Sequence, residues 1–283
     1  MLRAITAAYY LLALLCAVLL LSSAALVSDG EKALSRLETP EEKTDTLVKD
    51  WMQALSLGFY QGASEKAKAR ALIERSAGYH RERVNAYSAA IVGLSALLLA
   101  ALAWRVHRRA PHALRRLALH LHGVAGVCLL VGLSAPMLTI VAQRELALLG
   151  NVVLQFETKS ILGTVRDLYA GGSVFVACLL ALFSVIIPVL KLLVSLLALL
   201  GPAGALRRSC VHFVRAIGKW SMTDVFVVAV LLAFLAGGQG GLTDARLGPG
   251  LYFFASYGLL SLLGGVLLAR VPGEPPQAVP LSP

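Results

Sequence analysis

The chain has 283 residues, of which 58% are hydrophobic and 15% are charged, and its formal net charge is +10. In a soluble domain roughly a quarter of the residues are charged, so this composition excludes an ordinary soluble protein and predicts residence in a membrane. The arginines stand mostly in short loops beside apolar runs, as membrane topology requires, so no nucleic-acid partner is predicted.

The first apolar run extends from Ala4 to Val27 and follows Arg3. It is longer than the ~7–15 apolar residues typical of a secretory signal peptide, which favours an uncleaved membrane anchor. A cleaved signal peptide is the alternative, because the small residues Ser23-Ala24-Ala25 offer a cleavage site.

Residues 28–85 are polar, and their acidic and basic side chains balance. Thr39 is predicted to cap a helix that starts at Pro40, with Glu42 three residues after the cap. A second helix, Ser64 to Tyr87, is predicted to run into the next span. Together they predict a small helical hairpin outside the membrane.

One face of the hairpin's first helix is apolar. Leu47, Trp51, Leu55 and Phe59 recur every four residues. Such a stripe is expected to be the hairpin's own core, and the alternative is a surface that binds a partner.

Five further spans bring the predicted total to about six transmembrane helices. They lie at about Ala86–Trp104, Leu117–Val141, Gly171–Leu200, Trp220–Ala236 and Leu251–Ala269. The loop 142–169 between the third and fourth spans has mixed charge, Gly237 to Gly241 form a flexible turn, and the proline-rich tail 271–283 is predicted to be disordered.

The charges of alternate loops predict an orientation. The loops 105–116 and 201–219 carry five and four Lys or Arg residues and no Asp or Glu, whereas the loops 28–85, 142–169 and 237–250 have matched charges. Positively charged loops stay in the cytoplasm, which places both termini there and the hairpin outside.

Lys191 is the first candidate for function, because a lysine near the middle of a span costs ~2.5–3.5 kcal/mol on insertion scales. Ser184, Pro188, Lys191 and Ser195 share one helix face, which predicts a polar stripe that faces other helices. Pro188 also frees the carbonyl of Ser184 from its helical hydrogen bond. The alternative is a snorkelling lysine, since a thirty-residue span can extend into the cytoplasm.

Asp224 is the second candidate, in the segment that starts the fifth span. It can pair with Lys191, or it can simply cap the helix together with Ser221. Trp220 is predicted to be an interfacial aromatic anchor.

The remaining polar residues predict neither a metal site nor catalysis. His107, His112, His120 and His122 cluster at a cytoplasmic boundary and are interpreted as solvated residues of a basic loop. None of the catalytic, phosphate-binding or paired-cysteine motifs of common enzymes is found, so no enzymatic activity and no cofactor are predicted.

Residues about 117–270 resemble the paraquat-inducible protein A domain, a four-helix module of the bacterial inner membrane. The stretches that carry the resemblance are Ser134–Ile140, Phe156–Leu168 with Gly171-Gly172, Ile187–Leu192 and Gly218–Val228. The second of them is similar to the short external strand and short helix of that domain. Better-known members of the family have two such domains and zinc ribbons. This chain has one domain and no ribbon, and residues 1–116 form an added helix pair with the hairpin.

The resemblance implies a function in lipid transport. Members of the family are partners of MCE (mammalian cell entry) proteins, which move lipids between the two membranes of diderm bacteria. It also implies that Pro188, Lys191, Ser221 and Asp224 lie in a polar core between the helices. The alternatives are a scaffold or sensor that acts through the external hairpin and, less favoured, a membrane redox protein.

Overall fold

The structure is a computed structural model that describes residues 2–55, 62–109, 112–146, 150–201, 207–216 and 243–271. These residues form helices α1 (Leu2–Leu37), α2 (Pro40–Leu55), α3 (Gly62–His107), α4 (Ala113–Ser134), α5 (Ile161–Ala170), α6 (Val174–Ala181), α7 (Ile187–Leu200), α8 (207–216) and α9 (Pro249–Arg270). The strands are β1 (Leu138–Leu146), β2 (Gly150–Lys159) and β3 (Thr243–Leu247).

Five helical stretches in the described part of the chain are long and apolar enough to cross a bilayer. They are Ala4–Leu37, Ala67–His107, Ala113–Ser134, Val174–Leu200 and Pro249–Arg270. The prediction of a polytopic α-helical membrane protein is therefore confirmed, while the predicted span Trp220–Ala236 lies outside the described residues.

Helices α1 and α3 form a long antiparallel pair. They have 36 and 46 residues, or roughly 54 and 69 Å at ~1.5 Å per residue, and the hydrocarbon core is only ~30 Å thick. Both helices therefore continue beyond the membrane, where α2 joins them; we call residues 28–85 the arm. Within the arm, an ion pair between Glu31 and Arg81 connects α1 to α3, and an ion pair between Glu38 and Arg70 connects the turn after α1 to α3.

Helix α2 begins at Pro40, as the sequence predicts, but its apolar stripe is not the core of the hairpin. Leu47, Trp51 and Leu55 are 44%, 71% and 73% exposed, so that interpretation is wrong; Phe59 lies outside the described residues. The hydroxyl of Thr39 donates to the carbonyl of Arg36 at 2.9 Å, and the Thr39 carbonyl accepts the first hydrogen bond of the helix.

The third span ends earlier than predicted, at Ser134 instead of Val141. Ala135 is extended, with φ −73° and ψ 153°, because a residue before proline avoids the helical conformation. Beyond Pro136 the chain enters β1, whose β-branched residues Thr139, Ile140 and Val141 favour a strand.

The loop that is predicted to be external contains more strand than the single short one expected. Strand β1 pairs with β2 in a hairpin and with β3 on its other side, all antiparallel, in the order β2-β1-β3. The β1–β2 register shifts between Ala142 and Gln143. The Val153 amide donates to the carbonyl of Glu38 at 3.0 Å, which attaches the sheet to the arm.

Two glycines fix the sheet to the ends of α4 and α9. The amides of Gly248 and Gly250 donate to the carbonyls of Met137 and Pro136 at 2.8 and 2.9 Å. A Cβ atom at either glycine would overlap with a carbonyl oxygen of the Ala135–Pro136 segment. Only a residue without a side chain allows this approach.

The basic loops meet at the opposite end of the bundle. Arg115 donates to the carbonyls of Leu199 and Gly201 at 2.7 and 3.2 Å, and Arg207 donates to the carbonyl of Val271 at 2.8 Å. These cations lie where the dipoles of α7 and α9 are negative. The positive-inside rule predicts that this end is cytoplasmic and that the sheet is external.

Candidate functional site

The helix that carries Lys191 is continuous but locally widened. A π-helical segment, Leu182–Ile186, joins α6 to α7, and the Ile187 amide donates to the carbonyl of Leu182, five residues earlier. Pro188 follows at once and has no amide hydrogen to donate. Such π segments often occur at functional sites.

The predicted polar stripe points into the bundle. Ser184, Lys191 and Ser195 are 8%, 5% and 0% exposed, and Pro188 is also buried. The aliphatic side chains on the other faces of α6 and α7 are exposed to the surroundings, Leu193 and Leu197 among them. Lys191 therefore faces neighbouring helices instead of lipid, and its function stays a prediction.

Hydrogen bonds within the stripe differ from those the sequence suggests. The Ser195 hydroxyl donates to the carbonyl of Lys191 at 2.8 Å, within its own helix. The Tyr257 hydroxyl of α9 donates to the carbonyl of Pro188 at 3.1 Å. The contact between the two helices thus uses the proline carbonyl, whereas the sequence drew attention to the carbonyl of Ser184.

His122 belongs to the same interior, which corrects its interpretation as a solvated histidine. It is 3% exposed, and its Nδ1 lies 2.8 Å from the carbonyl of Ala118. Its ring packs against Gly264 of α9, where an added Cβ would come within 2.6 Å of Cε1.

His120 is not a freely solvated residue either. Its Nδ1 lies 3.0 Å from the hydroxyl of Tyr10 in α1, and the two rings stack with centroids 5.9 Å apart. His120 and His122 therefore serve different helix contacts.

A cavity of about 410 Å³ opens beside Lys191, between α7, α8 and α9. Its polar lining includes Ser261, which is 5% exposed, and Arg215 and Arg270 toward the basic end. The other lining residues are mostly aliphatic. The arrangement gives an open cleft with cationic side chains and a mostly apolar lining, suited to a polar or anionic group that carries apolar chains.

Tyr257, Ser261 and Gly264 were missed from the sequence, although a signal was present. They recur at intervals of four and three residues, so they share a face of the last span. Small and hydroxylated residues on one face of a membrane helix are typical of a helix–helix contact.

Three of the predicted site residues lie outside the described part of the chain. They are Trp220, Ser221 and Asp224. The pairing of Lys191 with Asp224 therefore stays a prediction, as does the anchoring of the fifth span by Trp220.

The protein is thus a polytopic membrane protein with a polar core. Its membrane-spanning helices surround a buried lysine, and an antiparallel sheet lies at one end of the bundle. The model of the family described as Paraquat-inducible protein A matches residues 127–268, which are 142 of the 283 residues. The chain belongs to this family. The match contains the polar stripe, Tyr257, Ser261 and Gly264, but not α1, α2 or α3.

A curated protein with a similar sequence gives a second comparison. A "Probable intermembrane transport protein" of Haemophilus influenzae is 26% identical over 112 residues, a match that covers 34% of this chain and 24% of that protein. The chain thus matches about a quarter of the length of this curated relative. No solved structure matches the chain.

Proposed function

We propose that the chain is a multi-pass subunit of the bacterial inner membrane that handles lipid during transport across the envelope, with an MCE-type protein as its partner and without enzymatic activity. Family membership and the name of the Haemophilus influenzae relative support transport between membranes.

The observation that carries the proposal is the burial of Lys191 beside a cavity in the part of the chain that matches the family. Placing a lysine inside a membrane is costly, by ~2.5–3.5 kcal/mol on insertion scales, and ionisable residues within spans mark substrate and ion pathways. A volume of about 410 Å³ falls within the range of ~300–1,000 Å³ typical of small-molecule sites. An ammonium group there attracts the phosphate of a lipid headgroup.

A lipid-transfer assay tests the proposal. Purified protein in donor liposomes is mixed with acceptor liposomes, and transfer of a fluorescent phospholipid is followed with and without an MCE-type partner. Lys191→Met removes the charge and keeps the length of the side chain. Transfer should fall at least about tenfold, which corresponds to a loss of ~1.4 kcal/mol in transition-state stabilisation.

Leu197→Met is the matched control, because Leu197 lies on the same helix and is 60% exposed on its lipid-facing side. It should transfer lipid at the wild-type rate. Wild-type transfer by Lys191→Met, or purified protein that carries no phospholipid by mass spectrometry, would contradict the proposal.

A second candidate function is a scaffold or sensor that acts through the arm, and the exposed stripe of α2 favours it. An apolar surface outside the membrane is typical of a binding site for another protein. Trp51→Glu combined with Leu55→Glu should then abolish function in cells, while Lys191→Met is tolerated. Leu72→Glu is the control, since Leu72 is 67% exposed on α3 of the same arm.

A further inference from the structure

Helices α3 and α9 leave two adjoining clefts near the external end of the bundle. The upper cleft, about 270 Å³, lies between the arm and the sheet, and the lower one, about 300 Å³, lies between α3 and α9. Val84, Asn85, Leu247 and Pro249 line both of them. The two clefts therefore form one elongated groove, which we call the α3–α9 groove.

The upper part of the α3–α9 groove is polar. Arg81 of α3, Arg246 of β3 and Glu31 of α1 line it, together with Thr139 and Thr158 of the sheet. Glu31 forms an ion pair with Arg81. Two arginines and one glutamate thus line the upper cleft, and this lining favours an anionic group such as a phosphodiester.

Arginine suits such a ligand because its planar guanidinium binds phosphate oxygens through two parallel hydrogen bonds. The threonine hydroxyls add groups that both donate and accept. The upper cleft therefore has the charge and the hydrogen-bonding groups for one lipid phosphate.

The lower part of the α3–α9 groove is mostly apolar and opens sideways. Phe253 forms its floor and is 5% exposed, while Val92 and Tyr252 at its edges are 59% and 62% exposed. These residues belong to the external ends of two membrane helices. An acyl chain can therefore enter from the bilayer without crossing a polar barrier.

Ser88 gives a further indication that the groove is built for a ligand. Its hydroxyl oxygen is buried and has no hydrogen-bond partner in the structure, and the residue lines the lower cleft below Asn85. A buried hydroxyl without a partner is costly. The glycerol ester oxygens of a lipid, which follow its phosphate, would supply an acceptor at this depth.

We propose that the α3–α9 groove binds one phospholipid of the external leaflet, with its phosphate at Arg81 and Arg246 and an acyl chain between α3 and α9. The inference rests on the proposed function for the role of this lipid and deepens it. It places a lipid-binding site at the junction between the added helices and the domain that matches the family, since α3 lies outside residues 127–268.

Photo-crosslinking of the full-length protein in liposomes tests the site. The lipid is phosphatidylglycerol with a diazirine in one acyl chain, and labelled peptides are identified by mass spectrometry. Labels should concentrate on residues 84–92 and 249–256. Unlabelled phosphatidylglycerol should compete, whereas diacylglycerol, which has no phosphate, should not.

Two variants remove different halves of the groove. Arg246→Gln removes a charge from the upper cleft, and Ser256→Phe fills the lower one at a half-buried position. Each should reduce labelling at both peptides at least about tenfold, or ~1.4 kcal/mol. Arg166→Gln and Leu259→Phe are the controls, because Arg166 is an exposed external arginine and Leu259 a lipid-facing residue of α9, and neither lines the groove.

Uniform labelling of the lipid-facing surface, equal competition by diacylglycerol, or full labelling of Ser256→Phe would overturn the site. The transfer assay separates this result from the proposed function. Transfer without localised labelling removes the site and keeps the function, whereas localised labelling without any transfer keeps the site and removes the function.

Discussion

Substitution of Gly132 by alanine tests the packing that positions the polar core. Gly132 of α4 faces the backbone of α9, and a Cβ atom there would lie 2.7 Å from the amide nitrogen of Phe254 and 2.8 Å from its Cα. The obstructing atoms are backbone, so they cannot rotate away. Alanine should force α4 and α9 apart and destabilise the protein.

The magnitude follows from a comparison with Gly126 on the same helix. A Cβ at Gly126 would meet the methyl groups of Leu192 at 3.6 Å, an ordinary van der Waals contact. Both substitutions gain the helix propensity of alanine over glycine, about 1 kcal/mol. The difference between the two variants therefore isolates the overpacking, which we expect to cost about 1–3 kcal/mol.

Thermal unfolding of the purified protein in detergent, followed by tryptophan fluorescence, measures this difference. Gly126→Ala should unfold at or above the wild-type midpoint. The midpoint of Gly132→Ala should lie several degrees below that of Gly126→Ala, since ~1 kcal/mol shifts the midpoint by about 2–4 °C in domains of 150–250 residues. Equal midpoints for the two variants would refute a close approach of α4 and α9 at Gly132.

Three other substitutions test contacts in different parts of the molecule. Tyr9→Phe removes the 2.7 Å hydrogen bond to Ser95 between α1 and α3 and should lower the unfolding free energy by about 0.6 kcal/mol, the average for such bonds in membranes. Arg115→Ala leaves the carbonyls at the end of α7 without their cation and should cost about 1.5 kcal/mol or more. The hydrogen bond to Asp167 raises the pKa of Lys159, so its stabilisation is present below the unfolded-state pKa of about 10.4 and is lost as the pH rises through the folded-state value. Asp167→Asn should therefore lower the unfolding midpoint at about pH 8 but not at a pH above the folded-state pKa of Lys159, and by less than ~1 kcal/mol because the pair is exposed.

Each of these substitutions has a control. Tyr9→Phe should have no further effect when Ser95 is already alanine, and an undiminished effect would show that the hydroxyl acts elsewhere. Arg116→Ala removes an equal charge from the same exposed first turn of α4. If it lowers the unfolding free energy as much as Arg115→Ala does, the effect comes from the lost positive charge and not from the hydrogen bonds of Arg115. A constant effect of Asp167→Asn at both pH values would exclude the ion pair with Lys159.

The membrane fold could be predicted because its signals are local. An apolar run of about twenty residues identifies a span by itself, and Pro40 marks a helix start by its fixed φ angle. The length of α3, which continues from the arm into the membrane without a break, was likewise evident from the absence of glycine or proline between Ser64 and Tyr87 apart from Gly78.

The external sheet could be predicted only in part, because its pairing is not local. β3 has only five residues, and no pattern within Thr243–Leu247 indicates a partner far back in the chain at Leu138–Ala142. The end of α4 was missed for another reason: hydropathy continues through Met137 to Val141, while the backbone restriction imposed by Pro136 has no hydropathy signal.

In the polar core, too, the features with a local sequence signal could be predicted and those that depend on distant residues could not. The spacing of Ser184, Lys191 and Ser195 predicted a shared face, since this follows from helix geometry alone. The burial of His122 could not be predicted, because it depends on Gly264 of α9, which leaves space for the ring. The exposure of Trp51 could not be predicted either, because an amphipathic pattern shows that a helix has an apolar face but not whether another element covers it.

The position of β3 in the chain has a consequence for biosynthesis. Strand β1 is made before α5, α6, α7 and α8, whereas its second neighbour comes after all of them. A nascent chain that has not yet reached Thr243 therefore has a β-hairpin with an unpaired edge, and such an edge readily joins strands of other molecules. Pairing with β3 covers that edge of β1 only after the segments between them have been synthesised.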